Sequence, residues 1–119
     1  MAKSDTIFNS GATEYSVNSP SAGDLIIDMK YYNHADYDAL YQDFEYKCTS
    51  GSVIVVTKIY NSAGVLQLTD TNTLAEALTY TAITQNVIDI TGITDGIYQI
   101  KIEVQGTGVN LQYVNQYLK

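Results

Sequence analysis

Residues 97–105 alternate with a period of two. Tyr98, Ile100, Ile102 and Val104 fall on one side of an extended chain, and Gln99, Lys101, Glu103 and Gln105 on the other. Successive side chains of a strand point to opposite faces, so this pattern buries one face and wets the other; a helix would scatter it around its axis. The period recurs upstream. Leu25, Ile27, Met29 and Tyr31 alternate with Ile26, Asp28, Lys30 and Tyr32, and Leu40, Phe44, Tyr46 and Cys48 alternate with Tyr41, Asp43, Glu45 and Lys47. Residues 53–60 form a near-continuous β-branched run, which predicts a strand covered on both faces.

Turn residues divide these runs. Asn61-Ser62-Ala63-Gly64 predicts a four-residue hairpin turn, with residues 65–69 returning from it. Further strands are expected over 76–83, 87–91, 97–105 and 109–117, the last two separated by a turn at Gly106-Thr107-Gly108. Residues 35–43 and 73–79 contain Ala, Leu and helix-compatible polar residues, so a short helix is open at each. Short strands with turns between them predict an all-β chain, an antiparallel β-sandwich of seven to eight strands. Asp95-Gly96-Ile97-Tyr98 places an inward Tyr at the start of a strand. Its ring can be buried while its hydroxyl returns to the upstream backbone, the tyrosine-corner device of immunoglobulin-like sandwiches.

The hairpin Ile59-Tyr60-Asn61-Ser62-Ala63-Gly64, within residues 55–66, and the later Gly96-Ile97-Tyr98, within 88–102, carry a family resemblance. This stretch resembles the FlgD-type immunoglobulin-like domains and the C-terminal sorting domains of Bacteroidetes secreted proteins. Both have an Ile-Tyr-Asp/Asn-x-x-Gly hairpin and a later Gly-Ile/Val-Tyr strand. The resemblance covers about residues 53–105, rests on turn chemistry, and implies a fold without an activity.

Charge excludes several functions. Thirteen acidic side chains face six lysines, and there is no arginine. The positive field and guanidinium fork that grip phosphate are therefore missing, and a nucleic-acid partner is not expected. No apolar run reaches the roughly 18 residues of a membrane span, and none follows Met1 at signal-peptide length. Synthesis in a host cytoplasm without a signal peptide, and no membrane partner, are the expectations. One cysteine forms no internal disulfide and no zinc set. Catalysis needs a nucleophile beside a positioned base. The lone His34 lies in a polar loop and Cys48 in a strand, so no catalytic residue, cofactor or metal is expected.

Two clusters remain. Asp24, Asp28, Asp36, Asp38, Asp43 and Glu45 crowd a short region, and Asp36-x-Asp38 offers two hard oxygens to a cation. A complete calcium loop needs more ligands, so a solvated negative face is the expected role. Eleven tyrosines are the other signal. Tyr gives large amphipathic contact area at little entropic cost, which suits a protein interface. Tyr31, Tyr32, Tyr37, Tyr41, Tyr113 and Tyr117 are the interface candidates in the body. Residues 1–23 read as a polar arm before a domain over 24–119, with Ile7, Phe8, Tyr15 and Val17 as its apolar anchors. Such an arm either adds a strand to its own sheet or is pinned by neighbouring copies. Its few anchors offset little ordering entropy, which favours neighbours.

These features predict a non-enzymatic structural subunit of a large assembly, homo- or hetero-oligomeric through protein–protein contacts. By analogy of fold this is a virion protein of a tailed bacteriophage, as head decoration, head–tail accessory or tail component. The alternative is a carbohydrate- or surface-binding module of an exported Bacteroidetes-type protein.

Overall fold

The computed structural model describes residues 5–119, and residues 19–24 by backbone alone. Its eight strands are β1 (Asp5–Asn9), β2 (Tyr15–Asn33), β3 (Ala39–Lys47), β4 (Ser50–Asn61), β5 (Leu66–Leu74), β6 (Thr81–Ala82), β7 (Asn86–Asp89) and β8 (Gly96–Leu118). All pairings are antiparallel. The expected β-sandwich is what the chain forms.

Its spine is a long ribbon. Residues 5–33 run antiparallel to β8, from Asp5 opposite Leu118 to Asn33 opposite Gly96. The ribbon folds over near its middle, so that each half serves a different layer. In the first sheet the order is β5, β4, residues 96–105 of β8, then residues 24–33 of β2. In the second, residues 109–118 of β8 lie between β3 and an edge made by β1 and residues 15–17 of β2; β6 and β7 pair with the far side of β3. The inner faces meet where Ile27, Val55 and Ile102 of the first sheet oppose Phe44, Leu111 and Val114 of the second.

The fold line corrects one expectation. Gly106-Thr107-Gly108 does not end a strand; β8 passes through it from one sheet to the other. Gly108 sits at φ +57°, and a Cβ there would lie 2.5 Å from Thr49 Oγ1. A Cβ at Gly106 would lie 2.5 Å from Val109 Cγ2. Both glycines permit close layering that a side chain would obstruct.

Other departures are local. Residues 76–83 yield only the two-residue β6, and neither 35–43 nor 73–79 becomes helical. The loop after β5 is held instead by Tyr46 Oη, which donates to the Ala75 carbonyl at 2.7 Å, and by the Cys48 amide, which donates to the Ala77 carbonyl. In β4 only Val53, Val55, Thr57 and Ile59 are fully buried; Ile54, Val56, Lys58 and Tyr60 stand half-buried on the outer face. Leu25 leaves the core because a bulge between Leu25 and Ile27 shifts the register of β2.

The segment expected to reach neighbouring subunits pairs with its own β8 over residues 5–9 and 15–17. Ile7, Phe8 and Tyr15 pack against the core and Val17 lies within it. Ladder hydrogen bonds supply what the few apolar anchors alone would not.

Candidate binding surface

The Tyr98 hydroxyl departs from the bond expected of a tyrosine corner. Tyr98 is buried, its ring centroid 6.0 Å from that of Tyr31, but its hydroxyl meets Thr94 Oγ1 at 3.1 Å and not a backbone carbonyl. The backbone of this loop is bound by Asn33, whose Nδ2 donates to the carbonyls of Ile93 at 3.0 Å and Thr94 at 3.2 Å. Nothing in the sequence marked Asn33, because its partners lie sixty residues downstream. The turn over residues 61–64 joins β4 to β5. Asn61 Oδ1 accepts from the amides of Ala63 and Val65, and Gly64 occupies φ +79°.

The expected interface residues divide by burial. Val17, Tyr31 and Tyr37 lie in the core and cannot present their side chains to another subunit. Ile7, Phe8 and Tyr15 are half-buried against it. Tyr41 and Tyr117 are cross-strand partners on the outer face of the second sheet, stacked with centroids 5.1 Å apart and planes at 8°. They present ring faces to each other, with Lys119 Nζ 5.9 Å from the Tyr41 ring. Tyr32 and Tyr113 remain open, at 59% and 51% exposure.

Tyr113 is unusual in its backbone. It stands at φ +52°, a region that bulky residues rarely occupy. It is the extra residue of a bulge opposite β3, where the register shifts between Asp43 and Glu45. The turn after β1 clasps this bulge: the Tyr113 amide donates to the Gly11 carbonyl, and the Val114 amide to Ser10 Oγ, both at 2.9 Å. The extra residue keeps Val114, Gln116 and Leu118 facing inward.

Among the described residues, lysines gather on the outer face of the first sheet. It carries Lys30, Lys58 and Lys101, half of the six in the chain, together with the acidic Asp28 and Glu103. Lys58 and Lys101 sit directly opposite each other, an unfavourable arrangement in isolation. Each has a compensating neighbour. Lys58 Nζ meets the Glu103 carboxylate at 2.8 Å, which holds its pKa above the ordinary lysine value, and Lys101 Nζ lies 5.3 Å from the centre of the Tyr60 ring. Beside them, Ile97 is 57% exposed and pairs with Tyr32. Lys30, Ile97 and Gln99 line a cleft of about 180 Å³ whose far wall is the Asn61–Gly64 turn.

Asp36 lies beside His34, at 3.7 Å from Nδ1, and its amide donates to the same nitrogen. Among the described residues, no three His, Cys, Asp or Glu side chains converge as a metal-binding group. Cys48 is buried, its thiol 3.3 Å from the Gly51 carbonyl.

No family model matches the sequence, and no curated protein does. Solved structures match the fold. The VP2 subviral particle of infectious bursal disease virus aligns over 98% of this chain and 32% of its own, with 12% identity and a TM-score of 0.62. The carbohydrate-binding module CBM6 of the laminarinase LamC from Zobellia galactanivorans aligns over 98% of this chain and 91% of its own, with 11% identity and a TM-score of 0.51. An arabinose-bound GH51 α-L-arabinofuranosidase aligns over 99% and 22%, with 8% identity and a TM-score of 0.52. The chain thus spans about a third of the viral proteins it matches. None of these three is a FlgD-type or sorting domain, and at such identities the likeness shows an all-β fold alone.

Proposed function

We propose that the protein is a non-enzymatic structural subunit of a virus particle, working through contacts with other protein subunits. The observation that carries this reading is the correspondence of nearly its whole fold with a capsid protein seen in assembled particles. The surface chemistry agrees: Tyr32, Tyr113, Leu78, Val87 and Ile97 are large, apolar or amphipathic, and exposed. A net charge of −7 without arginine favours protein over nucleic acid as the partner. The finer assignment is a head-decoration, head–tail accessory or tail component of a tailed bacteriophage, made in the host cytoplasm and carried in the virion without a membrane partner. Mass spectrometry of gradient-purified particles tests it. Peptides of this chain should band with the particles in fixed ratio to the major capsid protein. Recovery only in the unassembled fraction would overturn the reading.

A second reading is a carbohydrate-binding module. It is supported by the match to CBM6, which covers 91% of that chain and so aligns one whole module with this one.

A further inference from the structure

We infer that the cleft between Lys30, Ile97, Gln99 and the Asn61–Gly64 turn binds a sugar that carries a single carboxylate, a uronic acid residue at the end of a glycan. This rests on the carbohydrate-binding reading and adds to it a place and a ligand class. About 180 Å³ is below the roughly 300–1,000 Å³ of sites that enclose drug-sized molecules, so one ring enters and the rest of a chain stays outside.

The lining is suited to such a ring. Ile97 offers an apolar wall for the C–H face of a sugar, and its exposed cross-strand partner Tyr32 extends the apolar surface outside the lining. Gln99 is already oriented, because its Nε2 donates to Asp28 Oδ1 at 2.6 Å, which leaves Oε1 to accept from a sugar hydroxyl. Ser62 adds a hydroxyl from the turn.

Charge chooses among sugars. Lys30 is exposed and, among the described residues, has no ion-pair or hydrogen-bond partner, whereas Lys58 has Glu103 and Lys101 has Tyr60. Hydroxyls of a neutral sugar would accept from the Lys30 ammonium but leave its charge unbalanced, while a carboxylate both accepts and neutralises it. A doubly charged group is disfavoured, since the Asp28 carboxylate stands against Gln99 of the lining and one free ammonium balances one negative charge.

The test is calorimetric and amide chemical-shift titration of the full chain with oligogalacturonate and, in parallel, with a neutral galactose oligomer. The acidic oligomer should bind saturably, with the largest shifts at Lys30, Ile97, Gln99 and residues 61–64. Lys30→Gln should weaken binding about tenfold or more, while Lys30→Arg retains it. Equal affinity for the neutral oligomer, shifts elsewhere, or an unaffected Lys30→Gln would overturn the inference and leave the carbohydrate-binding reading standing. No saturable binding of either oligomer would remove both.

Discussion

Gln42 on β3 donates its side-chain amide to the hydroxyl of Thr57 on β4 at 2.8 Å, tying the two layers together through the core. Asn86 on β7 extends the tie, donating Nδ2 to Gln42 Oε1 at 2.9 Å and to Asp70 Oδ2 on β5 at 3.0 Å. Gln42, Thr57 and the register partner Gln116 are buried. Apolar packing between two sheets tolerates sliding, whereas a connected set of directional bonds fixes one arrangement.

Gln42→Leu should therefore destabilise the fold by about 1–3 kcal/mol, because the Thr57 hydroxyl and the Asn86 amide lose a partner inside the core. Thr57→Val should cost a similar amount, and the double variant clearly less than the sum. A urea-denaturation double-mutant cycle reads this directly. Additivity within about 0.5 kcal/mol would show that the bond carries no coupling.

Tyr98→Phe should cost about 0.5–1.5 kcal/mol, the value of one partly buried hydroxyl bond, since the ring and its contact with Tyr31 remain. Thr94→Val removes the same bond from the other side. The two changes combined should cost little more than either alone in thermal melts. Full additivity would mean that the hydroxyls have other partners.

Strand positions were readable because burial follows the alternation of the sequence within an unbroken register, as in Tyr98 through Val104. The connection of those strands was not. Glycine at 106 and 108 signals a left-handed or crowded backbone equally well at a hairpin turn and at a fold line, and only Thr49 and Val109 decide between them. The bulges at Leu25 and Tyr113 escaped for a related reason: each depends on register against a distant strand. Among the candidate surface residues, Tyr32 and Tyr41 were legible as outward by alternation. Tyr31 follows the same rule inward. Lys30, Lys58 and Lys101 lie on three different strands, so their convergence is visible only once β8 is seen between β2 and β4.

Gly108→Ala should destabilise the chain more strongly than a typical surface change, by about 2 kcal/mol or more, from the positive φ and the clash with Thr49 together. Pairing it with Thr49→Ala removes the clash with Oγ1 and Cγ2 and should recover part of the loss, leaving the conformational share. Differential scanning calorimetry of the three variants separates the two contributions. An unchanged melting temperature for Gly108→Ala would show that the fold line relaxes freely.

Alkaline pH should weaken the fold through its tyrosines. Tyr37 and Tyr80 are pushed up to about 12, first by burial and then by hydrogen bonds to the carboxylates of Asp5 and Glu14. Burial also raises Tyr31 and Tyr46. An unfolded chain loses its phenolic protons near pH 10, about two units earlier than Tyr37 and Tyr80 in the fold. The native state thus binds more protons in that window. Stability should be unaffected by these groups below about pH 10 and fall between about pH 10 and 12. Absorbance at a phenolate wavelength should show a late-titrating set of tyrosines that vanishes in denaturant. A single titration near pH 10 in the native protein would contradict it.

The N-terminal segment offers the sharpest division between a strand that completes its own domain and an arm that serves a neighbour. β1 covers one edge of β8 from Leu118 to Asn115, and the turn that follows it clasps the Tyr113 bulge. The Tyr37 hydroxyl bonds to the Asp5 carboxylate, and Ile7 and Phe8 pack on the core. Removing residues 1–10 should then cost about 2–4 kcal/mol, summed over two half-buried side chains and several ladder bonds. It should also uncover the 115–118 edge, a template for pairing with other chains. In the isolated full-length protein, amides in the β1–β8 ladder should be protected from hydrogen exchange, and the truncated form should melt earlier and self-associate. Rapid exchange of those amides in the isolated chain, with protection only in the assembled particle, would return the segment to the role of an arm that docks on neighbours.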